Sequence, residues 1–283
     1  MRIHHINCGT LCPASSRLVV GEGSLFARAR LVCHCLLIES SDGLVLVDTG
    51  LGTRDLQDPK GRLGKRFVRR NAPRLSPAET ALAHVERLGF RREDVRHIIP
   101  THLDLDHVGG LADFPHARVH VFRDELESAR RPVAPDPRFG YRPVLWEHGP
   151  QWVSYAVAGE RWFGFDSVRA IPGLSEELAL VPLVGHTAGH CGVAVKTGEG
   201  WLLHAGDAYF SHRELDWKSP RSPFGLALFQ RLRSVDNARR LSNQQRLREL
   251  VQSHGPQVQV FSAHCAVEFD RHASREDSVR GAA

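Results

Sequence analysis

Lysine is nearly absent from this chain. It occurs at 60, 65, 196 and 218 only, so 33 of the 37 basic residues are arginine. A formal charge of +5 and a pI near 9.1 would permit a nucleic-acid partner. No RNA-recognition or zinc-finger pattern accompanies the charge, and the arginines are scattered, with short clusters at Arg66–Arg70 and Arg239–Arg248. The excess therefore reads as a solvated surface, and no nucleic-acid partner is expected. Cysteine is also sparse. Six residues without a CxxC spacing exclude a disulfide scaffold, and Cys8, Cys12, Cys191 and Cys265 read as free thiols. Cys33 and Cys35 fall on one face of an apolar run, with His34 on the other, which reads as buried packing and not as a metal clip. No run of about 18 apolar residues is present, so no membrane-spanning helix is expected. The start MRIHHINCGT lacks a basic-then-apolar pattern, which makes a cytoplasmic location the expectation. Tandem repeats and low-complexity segments are missing too.

What remains is an ordinary globular composition, 42% apolar and 24% charged over 283 residues. RIHHIN (2–7), LVCHCLLIE (31–39) and LVLVD (44–48) read as strands, the last two joined by the turn SSDG. SPAETALAHVERLG (76–89) reads as a helix. Ser76 is its expected cap, Pro77 its first residue and Glu79 the partner in a capping box; Ala78, Leu82, Val85 and Leu88 form its apolar stripe, and Gly89 ends it. VRHIIP (95–100), ARVHVF (117–122), LALVPLVG (178–185), CGVAVKT (191–197), GWLLHAG (200–206) and VQVFSAH (258–264) are further strands, and 237–253 is a helix. Interleaved strands and helices place the chain in a mixed α and β class. Residues 139–165 hold Phe139, Tyr141, Trp146, Trp152, Trp162, Phe163 and Phe165 in an irregular stretch, expected to be a covering flap or a small extra core.

The chemistry gathers where strands end. Asp48 ends LVLVD; His102, Asp104, Asp106 and His107 follow VRHIIP; His186 follows LALVPLVG; Asp207 follows GWLLHAG; His264 follows VQVF. Five strand ends carrying metal-type donors are a strong signal, because an open sheet collects site residues at its carboxyl edge. In a tight turn, His102 and Asp104 can face one ion and Asp106 and His107 a second. Gly109 and Gly110 would let the following helix pack close to the sheet. A helix cap alone would explain Asp106 but not the histidines.

VLVDTG, THLDLDHVGG, GHTAGH, GDA and SAH resemble, in this order, the motifs of the metallo-β-lactamase-fold hydrolases. The spacing is most similar to the lactonase and glyoxalase II branches. The resemblance implies an α+β fold, an αββα sandwich of two mixed β-sheets flanked by helices. It implies one domain over 1–283 with an aromatic-rich flap insertion around 131–165. By motif, His102, position 104 and His186 would form site one. Asp106, His107 and His264 would form site two, with Asp207 bridging two divalent ions. Asp48 and His190 would support the site without ligating. Zinc is the expected ion, with manganese and iron as alternatives. Class B β-lactamases usually lack the Asp207 equivalent, so β-lactam hydrolysis is not expected.

The departure is Asp104, where the family pattern has histidine. A carboxylate still ligates, but two histidines and one carboxylate also suit Fe(II) or Mn(II). Two divalent ions, three carboxylates and one hydroxide sum to zero charge, one unit less than a histidine version, so a more alkaline activity profile is expected. The reading that follows is a dinuclear hydrolase attacking a lactone, ester or thioester carbonyl of a small molecule with a metal-bridging hydroxide. It would most resemble an N-acyl-homoserine lactonase. Asp106 would shuttle the proton, and Tyr209, two residues after Asp207, is a candidate oxyanion donor, its alternative being simple packing. The aromatic stretch would line the acyl pocket, and Arg138 and Arg142 could recognise a substrate carboxylate. An iron-dependent redox enzyme is the runner-up, since flavodiiron proteins resemble this run with glutamate at the third position, although a glycine-rich flavin loop is missing. A nuclease or phosphodiesterase and a binding protein with a dead site are the remaining alternatives. Oligomeric state is not legible in the sequence.

Overall fold

A computed structural model describes residues 1–131, 140–171, 174 and 177–280. The expected residues Arg138 and Phe139 lie outside these. Two six-stranded mixed sheets form the centre. The first runs in sequence order: β1 (Arg2–Leu11), β2 (Leu31–Ser40), β3 (Gly43–Val47), β4 (Val95–Ile99), β5 (Arg118–Phe122) and β6 (Gln151–Tyr155). The second holds β7 (Glu160–Trp162), β8 (Phe165–Ala170), β9 (Leu178–Pro182), β10 (Cys191–Thr197), β11 (Gly200–His204) and β12 (Val258–Phe261), in spatial order β12-β11-β10-β9-β8-β7. In the first sheet β1–β2–β3 are antiparallel and β3–β4–β5–β6 parallel. In the second only β11 and β12 are parallel.

The helices are α1 (Ser16–Val19), α2 (Thr53–Gln57), α3 (Lys65–Asn71), α4 (Ala81–Arg87), α5 (Leu105–Val108), α6 (Arg123–Arg130), α7 (Phe224–Arg233), α8 (Asn237–His254) and α9 (Ala266–Arg280). Alternation along the strands sorts the core into layers. Leu36, Ile38, Val45, Val47 and Ile99 meet Leu180, Val193, Val195 and Phe261 between the sheets. The opposite face of the first sheet, with Cys33, Cys35, Leu37, Leu46 and Ile98, packs on Ala81, Leu82 and Val85 of α4. That of the second, with Val181, Ala194 and Leu203, packs on Leu247 and Leu250 of α8. Both faces of the central strands are buried, which is why they read as nearly unbroken apolar runs. The expected αββα sandwich is the observed fold, and all six cysteines are free.

Two local expectations change. The helix expected from Ser76 begins at Ala81. Pro77–Glu79 is a separate 3-10 turn, and Ser76 makes no side-chain cap. Thr80 is extended (φ −76°, ψ 149°) and its hydroxyl accepts the Ala83 N–H at 3.2 Å, so the cap moved to the β-branched residue whose oxygen reaches the third amide. Ala78 consequently leaves the stripe and is exposed. Gly89 ends the helix as expected, at φ +88°.

The aromatic stretch also resolves differently. It supplies β6 at one sheet's edge and β7 and β8 of the other. Tyr141, Trp146 and Trp152 join the outer core of the first sheet, and Trp162, Phe163 and Phe165 that of the second. These aromatics extend two existing cores and do not build a third.

Candidate metal centre

The carboxyl ends of β3, β4, β9, β11 and β12 converge, and the expected donors meet there. His102, His186 and Asp207 offer ligand atoms all within 4.8 Å of one another, and so do Asp106, His107 and His264. All are buried except Asp106, which is partly exposed. Asp207 stands between the groups. Its Oδ2 lies 3.9 Å from His102 Nε2 and 3.4 Å from His186 Nε2. Its Oδ1 lies 3.3 Å from His107 Nε2 and 3.2 Å from His264 Nε2. Gly109 and Gly110 do allow a close approach, since a Cβ on Gly109 would stand 2.7 Å from the Gly50 carbonyl oxygen.

A supporting layer fixes which ring nitrogen points inward. Asp48 holds a left-handed backbone (φ 57°) at the end of β3, a conformation aspartate tolerates better than most residues. Its carboxylate accepts the Thr101 N–H at 2.7 Å, the Thr101 hydroxyl at 3.0 Å and His107 Nδ1–H at 2.8 Å. The Thr101 hydroxyl, donating to Asp48, accepts from His102 Nδ1 at 3.1 Å. His264 Nδ1–H donates to the Val32 carbonyl at 2.7 Å. Each of these imidazoles therefore presents Nε2 as a lone pair. His190 donates from Nδ1 to Leu183 O and accepts the Asp207 N–H at Nε2, both at 2.9 Å, which sets the backbone of Asp207. Burial, with the neighbouring His186 ring, draws His190 down to about 4, so it stays neutral in this role.

Lone pairs thus face the Asp207 carboxylate. Nε2 of His102, His107 and His186 and Oδ1 of Asp207 are buried without hydrogen-bond partners. Buried polar atoms are rarely left so, and a cation in each group of donors would satisfy them all. Without one, protons must serve. Burial opposes a charge on His107, yet Asp207 and Asp48 hold it well above the usual histidine range. His264 is raised in the same way by Asp207 and Asp106 against burial. Burial and the nearby His107 keep His102 well below that range. The residues fit a pair of divalent cations of borderline softness.

Asp104 stands at the margin. Its Oδ2 is 3.5 Å from His186 Nε2 and 3.9 Å from His102 Nε2. The same oxygen accepts from Arg233 Nη2 at 3.0 Å, and Oδ1 accepts the Gly140 N–H at 2.9 Å. A Cβ on Gly140 would come 2.5 Å from the Asp104 carboxyl carbon, so glycine is needed there. Burial opposes ionisation of Asp104, but His186 and the Arg233 charge hold it below the ordinary carboxylate range. Arg233 therefore returns the positive charge that aspartate at 104 takes away.

Tyr209 is a correction. It is fully buried in the outer core of the second sheet, and its hydroxyl donates to Glu268 Oε1 at 2.9 Å. The next residue, Phe210, faces the site instead, stacked on His264 with ring centroids 5.1 Å apart. Alternation after β11 put the hydroxyl on the wrong side. The site opens into a cavity of about 330 Å³ whose walls include Leu31, Leu63, Phe67, Phe210 and Phe229. From the described part of the aromatic stretch, only Gly140, Tyr141 and Arg142 reach it. Arg142 is committed to the carbonyls of Arg62 (3.0 Å) and Gly61 (2.5 Å).

Sequence reasoning missed Glu125. It is fully buried on α6 and accepts the Leu103 N–H, the Gly189 N–H and the Tyr141 hydroxyl, each at 2.9 Å. One carboxylate so ties the 101–107 loop, the 186–190 loop and the cavity wall together. In RDELESAR it looks like any helix-surface glutamate, and nothing local marks it.

The fold agrees with what the chain is similar to. The model of the metallo-beta-lactamase superfamily matches residues 28–249. A probable metallo-hydrolase of Mycobacterium tuberculosis is 42% identical over 265 residues, covering 93% of this chain and 80% of its own length. An N-acyl homoserine lactonase of a Bacillus species is 25% identical, covering 79% of this chain and 78% of its own. Among solved structures, a B. thuringiensis enzyme with N-decanoyl-L-homoserine at its active site superposes with a TM-score of 0.69 at 21% identity, over 95% of each chain. A dizinc quorum-quenching lactonase superposes with a TM-score of 0.58 at 16% identity, over 93% of this chain and 87% of that one. With most of its length matched by the family model and its sandwich shared with these enzymes, the chain belongs to the metallo-beta-lactamase superfamily.

Proposed function

We propose that this enzyme hydrolyses the carbonyl of a lactone, ester or thioester at a dinuclear metal centre, with residues 1–283 acting as one catalytic unit. The observation that carries the reading is Asp207, which turns one oxygen to the His102–His186 pair and the other to the His107–His264 pair. His102, His186 and Asp207 would hold one ion, with Asp104 at its edge. Asp106, His107, His264 and Asp207 would hold the second, zinc being the ion this donor set favours. When bound, the ions supply a water of lowered pKa and an electrophilic pull on the carbonyl oxygen.

The chain's own residues do the rest. Asp48, Thr101, His190 and the Val32 carbonyl hold donor orientations fixed, so little reorganisation is needed during reaction. Asp106, partly exposed and lining the cavity, would take a proton and hand it to the departing alkoxide or thiolate. Leu31, Leu63, Phe67 and Phe210 exclude water and seat an apolar substrate portion. The lactonases among the relatives support a lactone as the first substrate class to try.

Elemental mass spectrometry together with lactone and thioester turnover tests this reading. Close to two zinc ions per chain is expected, with turnover abolished in Asp207→Ala while circular dichroism is kept. Turnover retained in that variant would refute the mechanism, and predominant iron with oxygen uptake would favour an oxidoreductase.

A further inference from the structure

We propose that Arg66 and Arg70, backed by Arg233, form a subsite for an anionic group on the substrate. The natural ester, thioester or lactone would then carry a carboxylate or phosphoryl group beside its apolar portion. This deepens the hydrolase reading and rests on it for the reaction, though not for the binding.

All three guanidinium-bearing residues line the cavity that also exposes Asp106, His186, Asp207 and His264. Arg66 and Arg70 lie four residues apart on α3 and so share one face of the helix. Like charges at that spacing weaken a helix, so the pair is not there for local stability. Arg233, the last residue of α7, lines the same cavity. The guanidinium carbon of Arg70 sits 5.0 Å above the Phe229 ring, which holds its plane against the apolar wall. Its neighbours are charges of its own sign. Burial, with the Arg233 and Arg66 charges adding to it, draws Arg70 below the ordinary arginine range.

Other arginines near the site have partners. Arg62 pairs with Asp55 at 2.7 Å, Arg142 serves two carbonyls, and Arg233 pairs with Asp104. Among the described residues, neither Arg66 nor Arg70 has an ion-pair partner. The cavity's carboxylates, at 104, 106 and 207, belong to the metal centre and its margin. Arg66 and Arg70 are exposed to solvent, and two unmatched planar forks lining a cavity with apolar walls, beside a third positive charge, suit a bidentate anion. The cavity's 330 Å³ suits a small molecule.

The test compares p-nitrophenyl valerate with p-nitrophenyl hemiglutarate and with an ω-phosphonate ester of equal chain length, on the metal-loaded enzyme. In low salt, kcat/KM for an anionic ester should exceed that for the neutral one by about 10- to 100-fold, the size of one charge-assisted hydrogen bond. Which anion gains more identifies carboxylate or phosphoryl. The preference should collapse in Arg70→Ala and Arg66→Ala and fall with ionic strength. It should persist in Arg69→Ala, which is exposed outside the cavity and removes the same charge. Calorimetric binding of glutarate and inorganic phosphate gives a readout that needs no turnover, and should be lost in the Arg66→Ala/Arg70→Ala double variant. No charge preference, or one that Arg69→Ala removes equally, would overturn the subsite. If no ester is turned over but glutarate binding still depends on Arg66 and Arg70, the subsite stands and the hydrolase reading fails.

Discussion

Replacing Arg233 by alanine separates two roles that Asp104 could have. Asp104 is a carboxylate with 6% side-chain exposure, and its cationic partner is Arg233 at 3.0 Å, itself 21% exposed. Removing one member of a fully buried pair costs about 3–5 kcal/mol, because a charge is left unpaired in a poor solvent. Here the guanidinium is partly solvated, and Asp104 keeps the Gly140 N–H and the neighbouring His186. The cost should shrink to about 2 kcal/mol. If Asp104 faces a cation in the metal-loaded protein, the ion replaces the lost partner and the cost should nearly vanish. Linkage then requires the variant to bind the first-site ion about 30-fold more tightly. Urea denaturation with and without zinc, together with zinc competition against a chelating dye, measures both halves of this cycle. Equal destabilisation in the two states, or unchanged zinc affinity, would show that Asp104 is a structural partner of Arg233 and no part of the metal centre.

Glu125→Ala strands the buried Leu103 and Gly189 amides and removes one partner of the Tyr141 hydroxyl. At about 1–3 kcal/mol for each stranded buried donor, a loss of roughly 3 kcal/mol or more is expected in urea denaturation, accompanied by reduced metal content. Tyr209→Phe should cost about 1 kcal/mol through its lost bond to Glu268 yet leave kcat within a few-fold, and a drop of a hundredfold would restore the oxyanion role. Burial, against the Ser262 N–H and the Tyr209 hydroxyl, raises Glu268 to about 7 from an unperturbed value of 4.5. Between those values the folded state holds a proton that the unfolded state has released. Stability should therefore fall as pH rises from about 4.5 to 7, by roughly 3 kcal/mol in all. Thermal denaturation of Glu268→Gln should show a flatter profile over that window, and an unchanged slope would contradict the assignment.

Sequence by itself determined the layers and the donor inventory. Strands buried on two faces must be apolar along their length, so the first polar residue beyond each one stands out, and five such ends named the site. Gly89 and the SSDG turn were equally legible, because a left-handed residue or a two-residue hairpin leaves its signature in adjacent positions. Tertiary structure decided everything that depends on a distant partner. The start of α4 passed from Ser76 to Thr80 once one hydroxyl, and not the other, could reach an amide. Phe210, and not Tyr209, turned to the site through the direction the chain takes after β11. The aromatic stretch became strands because two sheet edges were there to receive it. Asp104 acquired its meaning from Arg233, 129 residues away, and Glu125 from three loops it never adjoins in sequence. Periodicity tells which face a side chain is on, but a charge or hydrogen bond is defined by its partner, and only the folded chain chooses that partner.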